Sequence, residues 1–235
     1  MVYGLAGAAV MQLDKVIISY FSSPSSTTPY YLATSLCLTP LSVFAGPVSQ
    51  YFQPRVIKAI TEERQTLIEK EIAPFVRIIT LVTIIPTALL WLARKPLITL
   101  WLRDTTHLGL VSAYCAVLLP GIAVGALSYV PYTILIAKQD FHFQSVASAI
   151  LSTLTLALAT IAALFGSIMS VCWIYAAYHT VSTLVSWARC VHLQSKESSR
   201  YATFALRLSI KTIGVLSVPL FACGLGELIY LYSKL

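Results

Sequence analysis

The sequence predicts an all-α fold, a polytopic membrane bundle of about seven transmembrane helices. Three observations carry that prediction. Of 235 residues, 57% are hydrophobic and 11% charged, where a soluble domain has about a quarter charged. Mean hydropathy is +0.80. Apolar stretches at residues 2–21, 30–53, 73–93, 108–137, 143–165, 168–188 and 212–233 each reach the roughly 20 residues that cross a hydrocarbon core of about 30 Å. Lipid offers the backbone no hydrogen-bond partners, so the spans are expected to be helices.

The first stretch, 2–21, lacks the basic n-region and small-residue cleavage site of a removable leader, and is expected to stay as a span. It holds adjacent Asp14 and Lys15 in an otherwise uncharged run. An ionised side chain at a helix centre costs roughly 2.5–3.5 kcal/mol on insertion scales, so such residues face a bundle interior or a wet cavity. Gly4, Ala8, Gln12, Lys15 and Ser19 recur at steps of three and four, one helix face that is small at one end and polar at the other. Asp14 lies about 100° round the helix from Lys15, so the two border one cavity without facing each other. Lys15 either offers a cation to an anionic substrate or pairs with a carboxylate on another helix to fix packing.

The second stretch contains Thr39-Pro40, Gly46-Pro47 and Gln53-Pro54. Proline removes a helical hydrogen bond and frees a carbonyl, which in a membrane persists where neighbours or cavity water satisfy it. Gln50 is a candidate cavity-lining group there, against the plainer reading of a proline kink. In 56–72, Val56, Ile57, Ile60, Leu67, Ile68 and Ile72 recur at helical spacing among charged residues, which predicts an amphipathic helix on the membrane surface. Residues 195–211, with Arg200, Arg207 and Lys211 beside Tyr201 and Phe204, repeat the theme more weakly.

The fourth stretch holds Gly121 and Gly125, a GxxxG that allows close helix approach and reads as packing. Tyr129, Pro131 and Tyr132 follow, as interfacial anchors or as a platform for a sugar. The fifth and sixth stretches, joined at Gly166-Ser167, form an antiparallel hairpin. Glu227 in the last stretch is a candidate proton or sodium site, or is simply exposed at the span's end.

Net charge is +7, and topology explains it better than nucleic-acid binding does. Eleven of the sixteen Lys and Arg residues fall beside the connections that follow the second, fourth and sixth spans. Only Arg94, Lys95, Arg103 and Lys234 lie on the opposite side, with Lys15 inside a span. The positive-inside rule then places the N-terminus in the cytoplasm and the C-terminus outside.

Enzymatic chemistry finds little footing. His107, His142, His179 and His192 are scattered, without an HExxH, a DxD, a Walker A or a Rossmann fingerprint, so neither clustered acid–base groups nor metal ligands nor a phosphate-cradling glycine loop is in view. Cys37, Cys115, Cys172, Cys190 and Cys223 show no CxxC spacing and read as inert thiols, mostly within apolar runs. No cofactor is expected, and the chain reads as a transporter.

The order of these features is familiar. Gln12-Leu13-Asp14-Lys15 leading to Ile17-Ile18-Ser19, then Tyr30-Tyr31-Leu32-Ala33 and Gly46-Pro47 through Tyr51-Phe52-Gln53-Pro54-Arg55, resembles the polysaccharide flippases. Pro96 through Leu102 and Tyr129-Val130-Pro131-Tyr132 continue the likeness. The chain thus resembles the O-antigen and polysaccharide exporters (Wzx-like) of the multidrug/oligosaccharidyl-lipid/polysaccharide superfamily. The resemblance implies flipping of an undecaprenyl-diphosphate-linked oligosaccharide across the bacterial inner membrane, by alternating access of two six-helix lobes about a central basic cavity. It implies Lys15 as the cation for the diphosphate, Gln50 and Tyr132 as polar contacts, and Asp14 or Glu227 as ion-coupling groups. Family members have twelve or more spans, so the resemblance assigns 1–192 to a C-terminal lobe, with 193–235 a linker and an additional helix. The missing partner is then an N-terminal lobe or a second copy. The rival readings are a drug or metabolite antiporter of the same superfamily and a non-transporting subunit of a glycan-assembly complex.

Overall fold

The structure is a computed structural model that describes residues 13, 15–21, 24–63, 65–102, 106–165, 168–194 and 200–232, with the backbone alone at 24–26 and 217–232. Every described element is helical. A short stretch, α1 (15–21), precedes α2 (Pro24–Pro40), a π segment (Leu41–Ala45) and α3 (Gly46–Thr61). Then come α4 (Gln65–Leu92), α5 (Arg94–Leu102), α6 (Leu108–Ala126), α7 (Tyr129–Ala137), α8 (Phe141–Leu164), α9 (Ile168–Gln194) and α10 (Tyr201–Tyr232). Among the described residues, five helical rods are long and apolar enough to cross a membrane: Thr27–Thr61, Gln65–Leu92, Leu108–Ala137, Phe141–Leu164 and Ile168–Gln194.

The side chains are distributed as in a membrane protein. On α8, Val146, Ile150, Leu154, Leu158 and Ile161 are exposed while Ser152 and Thr155 are buried. On α4, Ile78, Leu81, Ile85 and Leu89 point outward while Thr80, Thr83 and Thr87 are buried. A water-soluble helix shows the reverse stripe. Small and hydroxylated residues let membrane helices approach and bond where burying apolar surface brings no gain over lipid.

The breakers of the second span act together. Pro40 ends α2, the backbone widens into the π segment over Leu41–Ala45, and Gly46-Pro47 starts α3. The rod stays continuous, so the irregularity is a π insertion and not the plain kink. At 35 residues it is about 50 Å long, longer than a hydrocarbon core of about 30 Å.

This length corrects the reading of 56–72. It is not one surface helix. The segment is the end of α3, a turn at Glu62-Glu63 and the start of α4, with Glu63 at φ 55° reversing the chain. Its apolar residues do recur as a helical stripe, but Val56, Ile60, Ile68 and Ile72 are buried against one another and against Trp187, Cys190 and Tyr201. Residues 200–211 change in the same way. From Tyr201 they are the first turns of α10, with Tyr201, Ala202 and Ala205 buried in that same core. The helix that holds the last apolar stretch thus begins well before residue 212.

Two cores stack along the bundle. One joins α3, α4, α7, the end of α9 and the start of α10 at the end rich in Lys and Arg. The other joins α1, α2, α5, α6 and the start of α9 at the opposite end. Leu41 of the π segment packs against both. The fourth span is also interrupted, between α6 and α7, where Leu127-Ser128 make a turn.

The GxxxG is a packing device, as its spacing suggested. A Cβ on Gly121 would lie 2.5 Å from the Ala176 Cα, and one on Gly125 would lie 2.6 Å from the His179 Nδ1. The α6–α9 seam is also bonded, Thr183 Oγ1 donating to the Val124 carbonyl at 3.1 Å.

At the basic end, Arg189 of α9 grips Asp140 in the α7–α8 connection, with Nε to Oδ2 at 2.7 Å and Nη2 to Oδ1 at 3.3 Å. Its guanidinium also lies 4.8 Å from the Phe143 ring centroid. The pair is partly exposed, at 30% and 15% of the side-chain surface, and Arg189 keeps the ring when the carboxylate goes. Asp140→Ala is therefore expected to lower stability by only about 1 kcal/mol, read as a small shift of the unfolding midpoint in mixed detergent micelles.

Candidate functional site

Three rods meet around a cleft in the second core. α2 supplies Tyr30, Thr34 and Leu38, α6 supplies Leu118 and Ile122, α9 supplies Tyr175 and His179, and Lys15 reaches in from α1. The cleft spans about 320 Å³, including space open to its surroundings, and its enclosed part admits only water-sized groups.

Each polar group is placed by helical spacing. Tyr30 and Thr34 stand four apart on α2, and Tyr175 and His179 four apart on α9, so each pair shares one face. The Thr34 hydroxyl is tied down, donating to the Tyr30 and Tyr31 carbonyls at 3.0 Å each. His179 is the twelfth residue of a 27-residue helix, near mid-depth of the span. Its ring fits because Gly125 opposite has no side chain.

Lys15 dominates the electrostatics. Its Nζ lies 5.5 Å from the centroid of the Tyr31 ring, a cation–π contact. No carboxylate is among the described residues lining the cleft. The lining surface is mainly apolar, with Lys15, Tyr30, Thr34, Tyr175 and His179 contributing its polar groups.

The sequence-predicted site residues do not all converge. Lys15 lines the cleft. Gln50 is exposed on α3, and Tyr132 is half-buried on α7 in the other half of the bundle, its carbonyl accepting a 3.3 Å hydrogen bond from Gln144 Nε2. Neither lines the cleft. Asp14 and the side chain of Glu227 lie outside the described residues, as do residues 2–12 of the first span and the Gly166-Ser167 turn.

Tyr30, Thr34, Tyr175 and His179 were not singled out by the sequence reading. Their signal is a polar pair at a spacing of four inside each of two otherwise apolar helices. No described group of three His, Cys, Asp or Glu residues is placed to hold a metal. The thiols of Cys37, Cys115, Cys172 and Cys190 are free and buried, in keeping with a packing role.

No family model, no curated protein and no solved structure matches this chain.

Proposed function

We propose that this chain forms one lobe of a carrier for undecaprenyl-diphosphate-linked oligosaccharide in a bacterial inner membrane. The observation that carries the reading is Lys15: a basic side chain on the wall of a cleft between membrane-length helices, beside the hydroxyl-bearing Tyr30, Thr34 and Tyr175. A diphosphate brings concentrated negative charge and acceptor oxygens, which suit an ammonium and tyrosine hydroxyls. The cleft is too narrow for that headgroup as it stands, so capture requires α2, α6 and α9 to part or a facing lobe to complete the cavity. In alternating access the site lies at mid-depth between two repeats that rock against each other. An N-terminal lobe or a second copy of the chain would supply the facing half, and Gln50, exposed on α3, is available to it.

The test is reconstitution, of the chain alone and with its companion lobe, into vesicles carrying a fluorescent lipid-linked oligosaccharide. Movement of the label between leaflets, faster than in protein-free vesicles, is the expected result. Efflux of small cations with no glycolipid movement would instead identify an antiporter. Movement of neither, together with co-purification of glycan-assembly proteins, would identify a scaffold.

A further inference from the structure

We infer that the outward face of α2 lines a water-filled passage through the membrane and does not meet lipid. A wet face on α2 goes beyond the carrier reading and holds whatever the chain transports. Two other rods set the comparison. On α4 and α8 the outward stripes are built from leucine, isoleucine and valine, and the hydroxylated residues are buried. On α2 and the turn that follows it the order is reversed. Between Thr27 and Ser42 every exposed residue carries a hydroxyl: Thr28, Tyr31, Ser35, Thr39 and Ser42. The leucines of the same stretch, Leu32, Leu36 and Leu38, turn inward and pack against the second core. That is the stripe of a helix whose outer side is solvated by water.

Spacing and length make the series one continuous face at membrane depth. Its members are three, four, four and three residues apart, so they stack along one side of the helix. The series is about 21 Å long. A headgroup layer is only about 5–8 Å thick on each side of the hydrocarbon, so an upright rod cannot house the whole series there. It belongs to a rod of membrane length, Thr27–Thr61.

Local hydrogen bonding does not account for the arrangement. Thr39 Oγ1 donates to the Ser35 carbonyl at 3.0 Å, and Ser42 Oγ donates to the Thr39 carbonyl at 3.1 Å. Such bonds satisfy a hydroxyl proton and make a single serine or threonine tolerable in lipid. They give no reason for the leucines to turn inward, because lipid tails solvate a leucine as well as a protein core does. Water outside the helix supplies that reason, and the hydroxyl oxygens keep lone pairs with which to accept from it. The face changes at the π segment, where Val43, Phe44 and Pro47 are the exposed residues, and polar exposure resumes only at Gln50. The wet surface is therefore the α2 part of the rod, in the half of the bundle that holds the second core.

The experiment is thiol labelling of the full chain in phospholipid nanodiscs, which leave both membrane faces open to the reagent. Ser35→Cys, Thr39→Cys and Ser42→Cys are compared with Ile150→Cys and Leu154→Cys on α8. A charged methanethiosulfonate that does not enter lipid is the probe, and peptide mass spectrometry locates each adduct apart from the native thiols. The α2 positions are expected to react at least about tenfold faster than the α8 positions, because the reagent attacks a thiolate and thiolates form in water. Ile150 and Leu154 are 61% and 53% exposed, so lack of steric access does not explain slow reaction there. Reaction at Thr39→Cys and Ser42→Cys as slow as on α8, with full reaction after unfolding in dodecyl sulfate, overturns the proposal and shows that lipid or protein covers the face. If the cysteine variants do not fold, hydroxyl-radical footprinting of the unaltered chain decides. Oxidation of Tyr31 in nanodiscs as fast as in the unfolded chain supports the passage, and protection of Tyr31 overturns it. Failure of the carrier reading is distinct. A reactive α2 face without glycolipid movement keeps the passage and removes the carrier, and glycolipid movement with an unreactive face removes the passage alone.

Discussion

Gly121→Leu is expected to abolish folded protein, while Gly109→Ala and Gly214→Ala leave stability unchanged or slightly raised. All three glycines are helical, and they differ in what a side chain would meet. Nothing lies within 4 Å of a Cβ built at Gly109 or Gly214, whereas at Gly121 the Ala176 Cα is 2.5 Å away and its Cβ 2.7 Å away. The obstacle at Gly121 is backbone, so it cannot rotate aside and α6 and α9 must separate. Overpacking of a tight contact costs about 1–3 kcal/mol for added methylenes. A leucine adds four carbons at a seam that anchors the cleft, against a total stability of only about 5–15 kcal/mol. At the open sites, alanine contributes up to about 1 kcal/mol of helix propensity over glycine. Gly125 falls between these cases. The atoms in the way belong to the His179 ring, so Gly125→Ala is tolerated by rotating the imidazole, and its effect falls on the cleft more than on the fold. Fluorescence-detected size exclusion after heating orders the variants. A monodisperse Gly121→Leu protein as stable as the parent would show that α6 and α9 are not in contact there.

The contrast between Gly121 and Gly109 also marks where sequence reading succeeded and where it stopped. A spacing of four between glycines in apolar sequence pointed to a close seam, and the seam is there. Long apolar runs, four of them uncharged, located the cores of the five membrane-length rods, because charge avoidance by lipid is written directly into composition. Hydropathy does not report where a helix stops once it leaves the membrane. The charged turns at 56–61 and 65–72 therefore read as a separate surface helix, although they only extend α3 and α4. Pro40, Gly46 and Pro47 announced an irregularity without its form, since proline chemistry is compatible with a kink or a π insertion. The break at Leu127-Ser128 has no such marker, as Pro120 and Pro131 sit on either side within helices. Of the cleft, Lys15 was legible because an ion in a span is costly. His179 was not, because most residues that share its cleft come from other helices and a linear search for acid–base clusters cannot see across them.

On the carrier proposal, Lys15→Glu is expected to abolish surface glycan in cells that depend on the carrier, Lys15→Ala to reduce it strongly, and Lys15→Arg to retain most of it. The ordering follows from charge alone. An ammonium about 5 Å from a phosphate oxygen, at an effective dielectric constant near 20, contributes about 3 kcal/mol of attraction. Its loss corresponds to roughly a hundredfold in affinity. Glutamate replaces that attraction by a repulsion of similar size, which doubles the effect and puts export below detection. Arginine keeps the charge and fills much of the same volume over the Tyr31 ring, 5.5 Å from the lysine Nζ, and its planar fork suits phosphate oxygens. If Lys15 instead serves packing, the ordering changes. Arginine and alanine would then disturb the fold according to size and contact, and the readout that falls is the amount of protein in the membrane. Surface glycan and transporter abundance, measured together across the four proteins, separate the cases. Equal export from all four eliminates Lys15 as the headgroup cation, export that follows charge at constant abundance supports it, and export that only tracks abundance assigns Lys15 to the architecture of the bundle.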